Sequence, residues 1–409
     1  MSSRVVVVTA VANVALGLGA VAAPAGAHSA VPRCDGRAAT IVGSQYGDTL
    51  QGTAGSDVIV GLGGRDHIDG GGGNDFICGG TGRDHIDGGV GNDRIHGNRG
   101  QDTLAGGDGN DRLFGNRGTS TTFYADQGDD RMASGSGRDH LSYENAPRGI
   151  SADLATGTVT GWGADSFHIG SERLFFVGSS HDDTLLGTSG ADWLDGGQGN
   201  DTIAGRGGDD DLFAVGGSIA GGAGDDDISA PPDGSSGTVT IEGGAGDDLL
   251  QTRNPGQVLG GPGDDVVSVE WDFTTFPTGL SLDGGDGINT LSLWRSGSPL
   301  TAVTYDMGSA SLSVDSVAAT ATQFEDFVGH FGAQTAITDV TGTRAPNSIS
   351  VYGNATTTIH GLGGDDRLRA GNGDDLIDGG PGADTADGSF GTDTCVAVEH
   401  PSNCEIVSG

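Results

Sequence analysis

Three consecutive nonapeptides decide the fold of this 409-residue chain. They read Gly79-Gly80-Thr81-Gly82-Arg83-Asp84-His85-Ile86-Asp87, Gly88-Gly89-Val90-Gly91-Asn92-Asp93-Arg94-Ile95-His96 and Gly97-Asn98-Arg99-Gly100-Gln101-Asp102-Thr103-Leu104-Ala105. The nine-residue period runs without a slip from Gly43 to Gly118. Its sixth position is Asp48, Asp57, Asp66, Asp75, Asp84, Asp93, Asp102 and Asp111, and its eighth is Leu50, Ile59, Ile68, Ile77, Ile86, Ile95, Leu104 and Leu113. The pattern is Gly-Gly-x-Gly-x-Asp-x-U-x, where U is a large aliphatic residue.

Each nonapeptide predicts a tight turn followed by a short strand. Glycines at the first, second and fourth positions open backbone conformations that are closed to residues with a Cβ, so six residues can turn with their carbonyls inward. The last three residues suffice only for a short strand, whose aliphatic middle residue faces away from its two neighbours. Two nonapeptides then make one coil, and successive coils stack about 4.8 Å apart.

Stacking predicts thin aliphatic columns flanked by ladders of carboxylates. Ile68, Ile86 and Leu104 fall on one sheet and Ile59, Ile77 and Ile95 on the other, while Asp66, Asp84 and Asp102 line one edge and Asp57, Asp75 and Asp93 the other. Carboxylates about 5 Å apart repel one another. Ca²⁺ accepts six to eight oxygen ligands and mixes carboxylates with carbonyls, whereas Mg²⁺ demands stricter geometry and Zn²⁺ prefers Cys and His. The ladders therefore favour Ca²⁺.

The composition excludes several classes of protein. Only 34% of the residues are hydrophobic and 5% aromatic, so a conventional globular core is not expected. The chain has 80 Gly but only 12 Pro, and the glycines are periodic, which fits neither collagen nor a disordered tract. The 56 acidic and 19 basic residues give a net charge of −37. Such a charge argues against nucleic acid and anionic membranes as partners, and it favours bound cations.

Residues 1–27 are predicted to be a signal peptide. Arg4 precedes the apolar run Val5 to Val21, and Ala25-Gly26-Ala27 is a small-residue cleavage site. A membrane anchor is the alternative, but the run is short for a span. The mature protein is therefore expected to begin near His28, to be secreted and to have no membrane span.

Four cysteines form two pairs, Cys34 with Cys78 and Cys395 with Cys404. An oxidising compartment favours two disulfides. Zinc binding is the competing interpretation, but the pairs lack Cys-x-x-Cys spacing. Cys395 occupies an aliphatic slot, so a bond to Cys404 is expected to fold the tail over the open end of the solenoid, and Cys34 is expected to pin the N-terminal segment.

The chain divides into repeat blocks and interruptions. The predicted order is a first repeat block at 28–141, a β spacer at 142–182, a second and looser block at 183–270, a Thr/Ser/Val-rich irregular β region at 271–360, and a last block with a disulfide cap at 361–409. Short strands are expected at Ile150 to Leu154, Arg173 to Val177, Leu291 to Trp294 and Ile349 to Tyr352. The aromatics of the irregular region, where a side cluster or a separate packing unit is expected, are Trp271, Phe273, Phe276, Trp294, Tyr305, Phe324, Phe327 and Phe331.

The nonapeptides resemble the RTX, or hemolysin-type, calcium-binding repeats of secreted bacterial proteins. Cys34-Asp35-Gly36 and Ile77-Cys78-Gly79-Gly80 resemble the beginning of a group of small secreted members. The resemblance implies an all-β fold, a right-handed parallel β-roll or β-helix solenoid with irregular β insertions, and multiple Ca²⁺ ions bound by turn carbonyls and the sixth-position Asp. The implied ligands are Asp57, Asp66, Asp75, Asp84, Asp93, Asp102, Asp111, Asp130, Asp139, Asp183, Asp192, Asp201, Asp210, Asp226, Asp248, Asp265, Asp366, Asp375 and Asp384. Tyr46 and Asn289 depart from the pattern, and their turns are not counted as sites.

The sequence predicts a calcium-binding structural or surface-interaction protein that folds on binding Ca²⁺, because thin columns cannot offset the ordering entropy of so many glycines. It contains no His-Glu-x-x-His and no Gly-x-Ser-x-Gly, so no enzyme is predicted. His67 and His85 could bind a transition metal, but solvated strand positions are the simpler interpretation. Two alternatives stay open for residues 271–360, a hydrolase or lyase site and an adhesive face for a cell-surface or polysaccharide ligand.

Overall fold

A computed structural model shows an all-β protein. It describes residues 31–116, 120–135, 137–168, 174–231, 238–253, 255–271, 276, 278–295, 302–331, 337–354 and 356–408. The predicted signal peptide lies outside these residues, as does Phe273. None of the described residues forms a helix, and so none forms an apolar helix of the length that crosses a bilayer. The chain divides into two compact units, Met1–Ser180 and His181–Gly409.

The first unit contains a two-stranded hairpin and two sheets of parallel strands. The hairpin is β1 (Arg33–Cys34) and β2 (Arg37–Ala38). Sheet I holds β4 (Thr49–Gln51), β6 (His67–Asp69), β8 (His85–Val90), β10 (Gln101–Asp108), β12 (Ser120–Tyr124), β14 (Asp139–Ser142) and β18 (Leu174–Val177). Sheet II holds β3 (Ile41–Val42), β5 (Val58–Gly63), β7 (Phe76–Thr81), β9 (Arg94–Arg99), β11 (Arg112–Phe114), β13 (Arg131–Ala133), β15 (Ser151–Asp153), β16 (Thr158–Thr160) and β17 (Ala164–His168).

The second unit repeats this arrangement. Its sheet I holds β20 (Trp193–Asp195), β22 (Asp211–Phe213), β24 (Asp227–Ala230), β26 (Leu249–Thr252), β28 (Val266–Trp271), β30 (Thr290–Arg295), β34 (Asp326–Phe331), β36 (Ser348–Tyr352), β38 (Arg367–Arg369), β40 (Thr385–Asp387) and β42 (His400–Ser402). Its sheet II holds β19 (Thr184–Leu186), β21 (Asp201–Ala204), β23 (Gly217–Ala223), β25 (Val239–Ala245), β27 (Pro255–Pro262), β29 (Ser281–Asp286), β31 (Val303–Asp306), β32 (Ser311–Val314), β33 (Val317–Thr322), β35 (Ile337–Thr341), β37 (Thr356–His360), β39 (Leu376–Asp378), β41 (Thr394–Val396) and β43 (Ile406–Ser408).

The strand register confirms the predicted solenoid. In sheet I of the first unit Ile68 lies opposite Ile86, which lies opposite Leu104. In sheet II, Ile77 lies between Ile59 and Ile95. These residues are fully buried while their strand neighbours are more exposed, so each coil contributes one aliphatic residue per sheet to a continuous column. Burial of apolar side chains and the backbone ladder are the two sources of cohesion between coils.

The turn glycines act in two different ways. The prediction that the first-position glycine is needed for its backbone conformation was wrong. Many glycines of the second and fourth positions take positive φ, as at Gly89 (96°) and Gly91 (144°), although the fourth-position Gly55 does not. The first-position glycine Gly88 does not. It is needed for space, because an added Cβ would lie 2.6 Å from Oδ2 of Asp93 and closer still to the carbonyl oxygen of Gly106.

Short antiparallel meanders interrupt sheet II in both units. In the first unit β13 pairs with β17, which pairs in antiparallel fashion with β16, and β16 with β15. In the second unit β29 and β35 are separated by the antiparallel strands β33, β32 and β31. The nonapeptide pattern does not specify these meanders, which occupy the places where the repeat breaks.

The aromatic residues of the region 271–360 widen the core column. Buried aromatics here are Trp271, Phe276, Tyr305, Phe324, Phe327 and Phe331. Trp271 packs edge-on against Phe276 at 5.0 Å between ring centroids, and Tyr305 lies 5.4 Å from Phe327. Because β30, β34 and β36 keep the parallel register of sheet I, these rings fill the solenoid itself.

Both predicted disulfides are present. Cys34 is bonded to Cys78, with the Cα atoms 5.6 Å apart, and ties the hairpin to β7. Cys395 is fully buried in the core column and is bonded to Cys404, with the Cα atoms 5.9 Å apart. The tail stacks on the last repeat. It adds a further coil, because β43 pairs in parallel with β41 and places Val407 opposite Cys395.

The two roles of glycine predict different outcomes for two Gly→Ala substitutions. Gly88→Ala is expected to lower the free energy of unfolding by about 1–3 kcal/mol, since its Cβ would overpack against backbone and Asp93. Gly55→Ala is the control, because its Cβ would meet only the Thr53 hydroxyl oxygen at 4.0 Å, and it is expected to change stability by less than about 0.5 kcal/mol. Thermal unfolding in Ca²⁺ measures both, and equal losses would contradict this assignment.

Candidate metal site

The sixth-position aspartate of each turn is tied to the preceding coil. One carboxylate oxygen, Oδ1, accepts a hydrogen bond from the backbone N–H of the aspartate one coil earlier. Asp66 donates to Asp84 at 2.9 Å, and Asp84 donates to Asp102 at 3.0 Å. On the other edge Asp75 donates to Asp93 at 2.7 Å. A charged acceptor strengthens such a bond, so each carboxylate is held in a fixed orientation.

The second carboxylate oxygen, Oδ2, points into the turn and is buried. It has no hydrogen-bond partner among the described residues at Asp66, Asp75, Asp84, Asp93, Asp102, Asp111, Asp201, Asp226, Asp248, Asp265, Asp366, Asp375, Asp384 and Asp393. We call turns of this kind open turns. An ionised oxygen left without a partner in a buried position is costly. The open turns therefore have an unmet demand for positive charge.

All of the predicted ligands are buried, with at most 7% of each residue exposed. Six of them are not among the open turns. Asp210 belongs to the same ladder, because its Oδ1 accepts from Asp192 and its N–H donates to Asp226. Asp130 and Asp139 lie near the interruption of the first repeat block, where Asp139 accepts the Thr121 N–H at 2.7 Å. Asp183 donates its N–H to Asp201.

Asp57 and Asp192 belong to a second class, which we call closed turns. Their Oδ2 accepts hydrogen bonds from both the backbone N–H and the hydroxyl of a threonine at the second position. For Asp57 and Thr53 both distances are 2.8 Å, and Thr188 makes the same pair of bonds to Asp192. Oδ1 of Asp57 accepts a further bond from the Thr40 hydroxyl at 3.1 Å. The chain itself thus satisfies the carboxylate of a closed turn.

Two asparagines occupy the sixth position, and Asn289 shows what surrounds the outer atom of that side chain. Oδ1 of Asn289 accepts the Asp265 N–H, as an aspartate would. Its Nδ2 donates to the carbonyl oxygens of Gly285 and Gln323, each at 3.1 Å. Carbonyl oxygens of its own turn and of the next coil therefore converge on the outer atom of Asn289. At Asn347 the outer atom is Oδ1, which accepts the N–H of Thr343 at 2.7 Å and its hydroxyl at 3.1 Å, as in a closed turn, while Nδ2 donates to the carbonyl oxygen of Glu325 in the preceding coil.

Burial raises the pKa of the open-turn carboxyls. Desolvation is the largest cause, opposed by the N–H hydrogen bond from the preceding coil and reinforced by neighbouring carboxylates. The pKa of Asp66, Asp75 and Asp93 rises from 3.8 to about 6, and the pKa of Asp102 and Asp111 rises to about 7. These values describe the turns without an ion, and they measure how poorly the protein alone accommodates the negative charge.

Comparison with protein families identifies the repeat. The RTX calcium-binding nonapeptide repeat matches residues 42–77, 77–104, 87–121, 122–141, 177–212, 233–252 and 359–395. The chain is an RTX-type repeat protein. No curated protein matches it. The matched residues include the open turns of the first and last blocks and those of Asp201 and Asp248, whereas residues 213–232 and 253–358 lie outside them.

The predicted set of ligands omitted several members of the ladders. Asp393 is in an open turn, and Asp165, behind the meander of the first unit, accepts the Asp130 N–H at 2.8 Å. Glu399 and Glu405 end the ladders by accepting the N–H groups of Asp384 at 2.6 Å and Asp393 at 2.7 Å. Asp393 could have been found from its register. The glutamates lie 15 and 12 residues after their partners. Regular ladder partners are 18 residues apart, so the nonapeptide period does not predict these two.

The raised pKa values predict that acid stabilises the ion-free fold. These carboxyls bind protons more tightly in the folded chain than in the unfolded chain, where their pKa is 3.8. Their contribution to stability is thus fully present below about pH 4 and is lost as the pH rises through about 6 to 7. In excess chelator the circular dichroism of β structure should decrease from acid to alkaline pH. A β signal that grows with pH under these conditions would contradict the assignment.

Proposed function

We propose that this RTX protein is a secreted calcium-binding protein whose open turns take up Ca²⁺ between successive coils and which folds on binding. The observation that carries the proposal is the geometry around Asn289. Where that asparagine presents an N–H₂ group to two carbonyl oxygens, an aspartate presents an anionic oxygen. Oxygen atoms facing one another repel, and a cation between them removes the conflict.

The donor set favours Ca²⁺. The candidate ligand atoms are the Oδ2 atoms of the open turns and carbonyl oxygens such as those around Asn289, and these suit a hard cation and not zinc. Ca²⁺ accepts six to eight such ligands in flexible geometry, whereas Mg²⁺ keeps several of its waters. Ca²⁺ is also the larger of the two ions and can reach ligands from two successive coils. The ion therefore acts as a cross-link between coils as well as a counter-charge.

Folding is expected to depend on calcium at neutral and alkaline pH. The thin aliphatic columns stabilise the coils, but the uncompensated carboxylates and the ordering of many glycines oppose them. In millimolar Ca²⁺ at about pH 8 the circular dichroism should be that of β structure, and excess chelator should abolish it. The proposal is wrong if the β signal is the same in chelator and in Ca²⁺.

Open and closed turns are expected to differ in calcium binding. Asp93 lies in an open turn and Asp57 in a closed turn of the same ladder, so they form a matched pair. Asp93→Asn should lower the number of Ca²⁺ ions bound per chain by at least one, because it removes an anionic ligand. Asp57→Asn should leave that number unchanged, since Thr53 already occupies Oδ2. Calorimetric titration gives both numbers, and a loss of ions in Asp57→Asn would refute the distinction.

We propose a structural role outside the cell, without catalysis. The two disulfides support an oxidising compartment, and each ties down one end of the repeat array. The aromatics of residues 271–360 are largely used in the core, which supports a scaffold there. The hydrolase or lyase site and the adhesive face in this region stay predictions. Adding a panel of polysaccharides to the calcium-loaded protein tests the adhesive alternative, for which saturable binding is the expected signature.

A further inference from the structure

The turn that follows the first interruption of the repeat contains an aspartate that the nonapeptide pattern does not predict. Asp126 occupies the second position of the turn that ends at Asp130, where glycine is usual. Its Oδ2 accepts the N–H of Gly107, the second-position glycine of the preceding coil, at 2.6 Å. This bond directs the carboxylate of Asp126 across the gap between the two coils. The turn therefore differs from the regular repeat by one additional acidic side chain.

Asp126 completes a group of three carboxylates. One oxygen each of Asp111, Asp126 and Asp130 lie within 4.8 Å of one another. Asp111 is 1% exposed, and its Oδ2 has no hydrogen-bond partner among the described residues. Oδ1 of Asp126 is also buried and has no hydrogen-bond partner among the described residues. A buried carboxylate oxygen without a partner that faces two further carboxylates is itself a sign of a missing cation.

The surrounding hydrogen bonds prevent the three carboxylates from separating. Oδ1 of Asp111 accepts the Asp93 N–H at 2.6 Å, and Oδ1 of Asp130 accepts the Asp111 N–H at 2.8 Å. Behind them, Asp165 accepts the Asp130 N–H at 2.8 Å and the Tyr143 hydroxyl at 2.8 Å. Among the described residues no Arg or Lys forms an ion pair with this group. Within the described part of the chain, therefore, no basic side chain compensates these charges.

We propose that Asp111, Asp126 and Asp130 form a calcium site of their own, with three carboxylates, that fills at a lower free Ca²⁺ concentration than the regular repeat turns. The inference rests on the proposed calcium-binding function. Its physical basis is that the affinity of oxygen sites for Ca²⁺ rises with the number of charged ligands and with the rigidity of the site. Asp126 adds a charge that the regular turns lack, and the hydrogen bonds supply the rigidity. This site would anchor the ladder beside the interruption.

The test compares Asp126→Asn with Asp108→Asn in the full chain. Asp126→Asn removes the additional charge and keeps the shape of the side chain. Asp108→Asn removes one charge from an exposed position of the adjacent turn and leaves the three carboxylates intact. The chains are equilibrated with chelator-buffered Ca²⁺ over a range of free concentrations, and the bound ions per chain are counted by atomic emission.

The wild-type chain and Asp108→Asn are expected to take up a first ion well before the main binding step. In Asp126→Asn that first ion should require at least about tenfold more free Ca²⁺ and so merge with the main step. Asp126→Gly, which restores the usual glycine, should behave like Asp126→Asn, and circular dichroism in saturating Ca²⁺ verifies that each variant folds. An early step that survives in both Asp126 variants, or is absent from the wild type, overturns the inference. Failure of any chain to bind Ca²⁺ overturns the proposed function instead.

Discussion

The structure depends on the hydrogen bond from the backbone N–H of one turn to the side chain in the sixth position of the next coil. This bond fixes one atom of each sixth-position side chain and leaves the other atom buried among carbonyl oxygens. The chain provides a partner for this second atom in several ways. Closed turns use the hydroxyl and N–H of a threonine, as at Asp57, and Thr343 serves Asn347 in the same way, whereas Asn289 uses its own amide group. Open turns have no donor of their own, and the proposed Ca²⁺ ion supplies what they lack.

The closed turns and the asparagines therefore do what the proposed metal sites do, which is to satisfy the outer atom of the sixth-position side chain. They let a coil stack on its neighbour without an ion. Asp57 and Thr53 lie near the beginning of the first repeat block, and Asn347 and Thr343 precede the last block. Such positions stay satisfied whatever the calcium concentration, because the donors are covalently part of the chain. Coils of this kind offer ordered surfaces on which the calcium-dependent coils can stack.

Most of the fold could be predicted from the sequence, because a period of nine fixes which residues stack. The columns around Ile77 and Ile86 and the carboxylate ladders followed from position alone, and both disulfides followed from position together with the expected oxidising compartment. The reason for the first-position glycine could not be predicted, because it depends on where Oδ2 of the same turn lies. Asp126 and Asp165 were missed for a related reason. They follow interruptions, and only the three-dimensional register brings them beside Asp111 and Asp130.

The ladder of sheet I in the second unit continues although its coils differ in length. Successive N–H to side-chain bonds from Asp210 through Asp226, Asp248 and Asp265 to Asn289 span 16, 22, 17 and 24 residues. The longer coils take up their additional residues between a strand of sheet I and the next strand of sheet II, on the side away from this ladder. The length of a coil in this unit can thus change while the hydrogen bonds between successive sixth-position side chains keep their register. Coil length and carboxylate spacing are therefore independent properties of this solenoid.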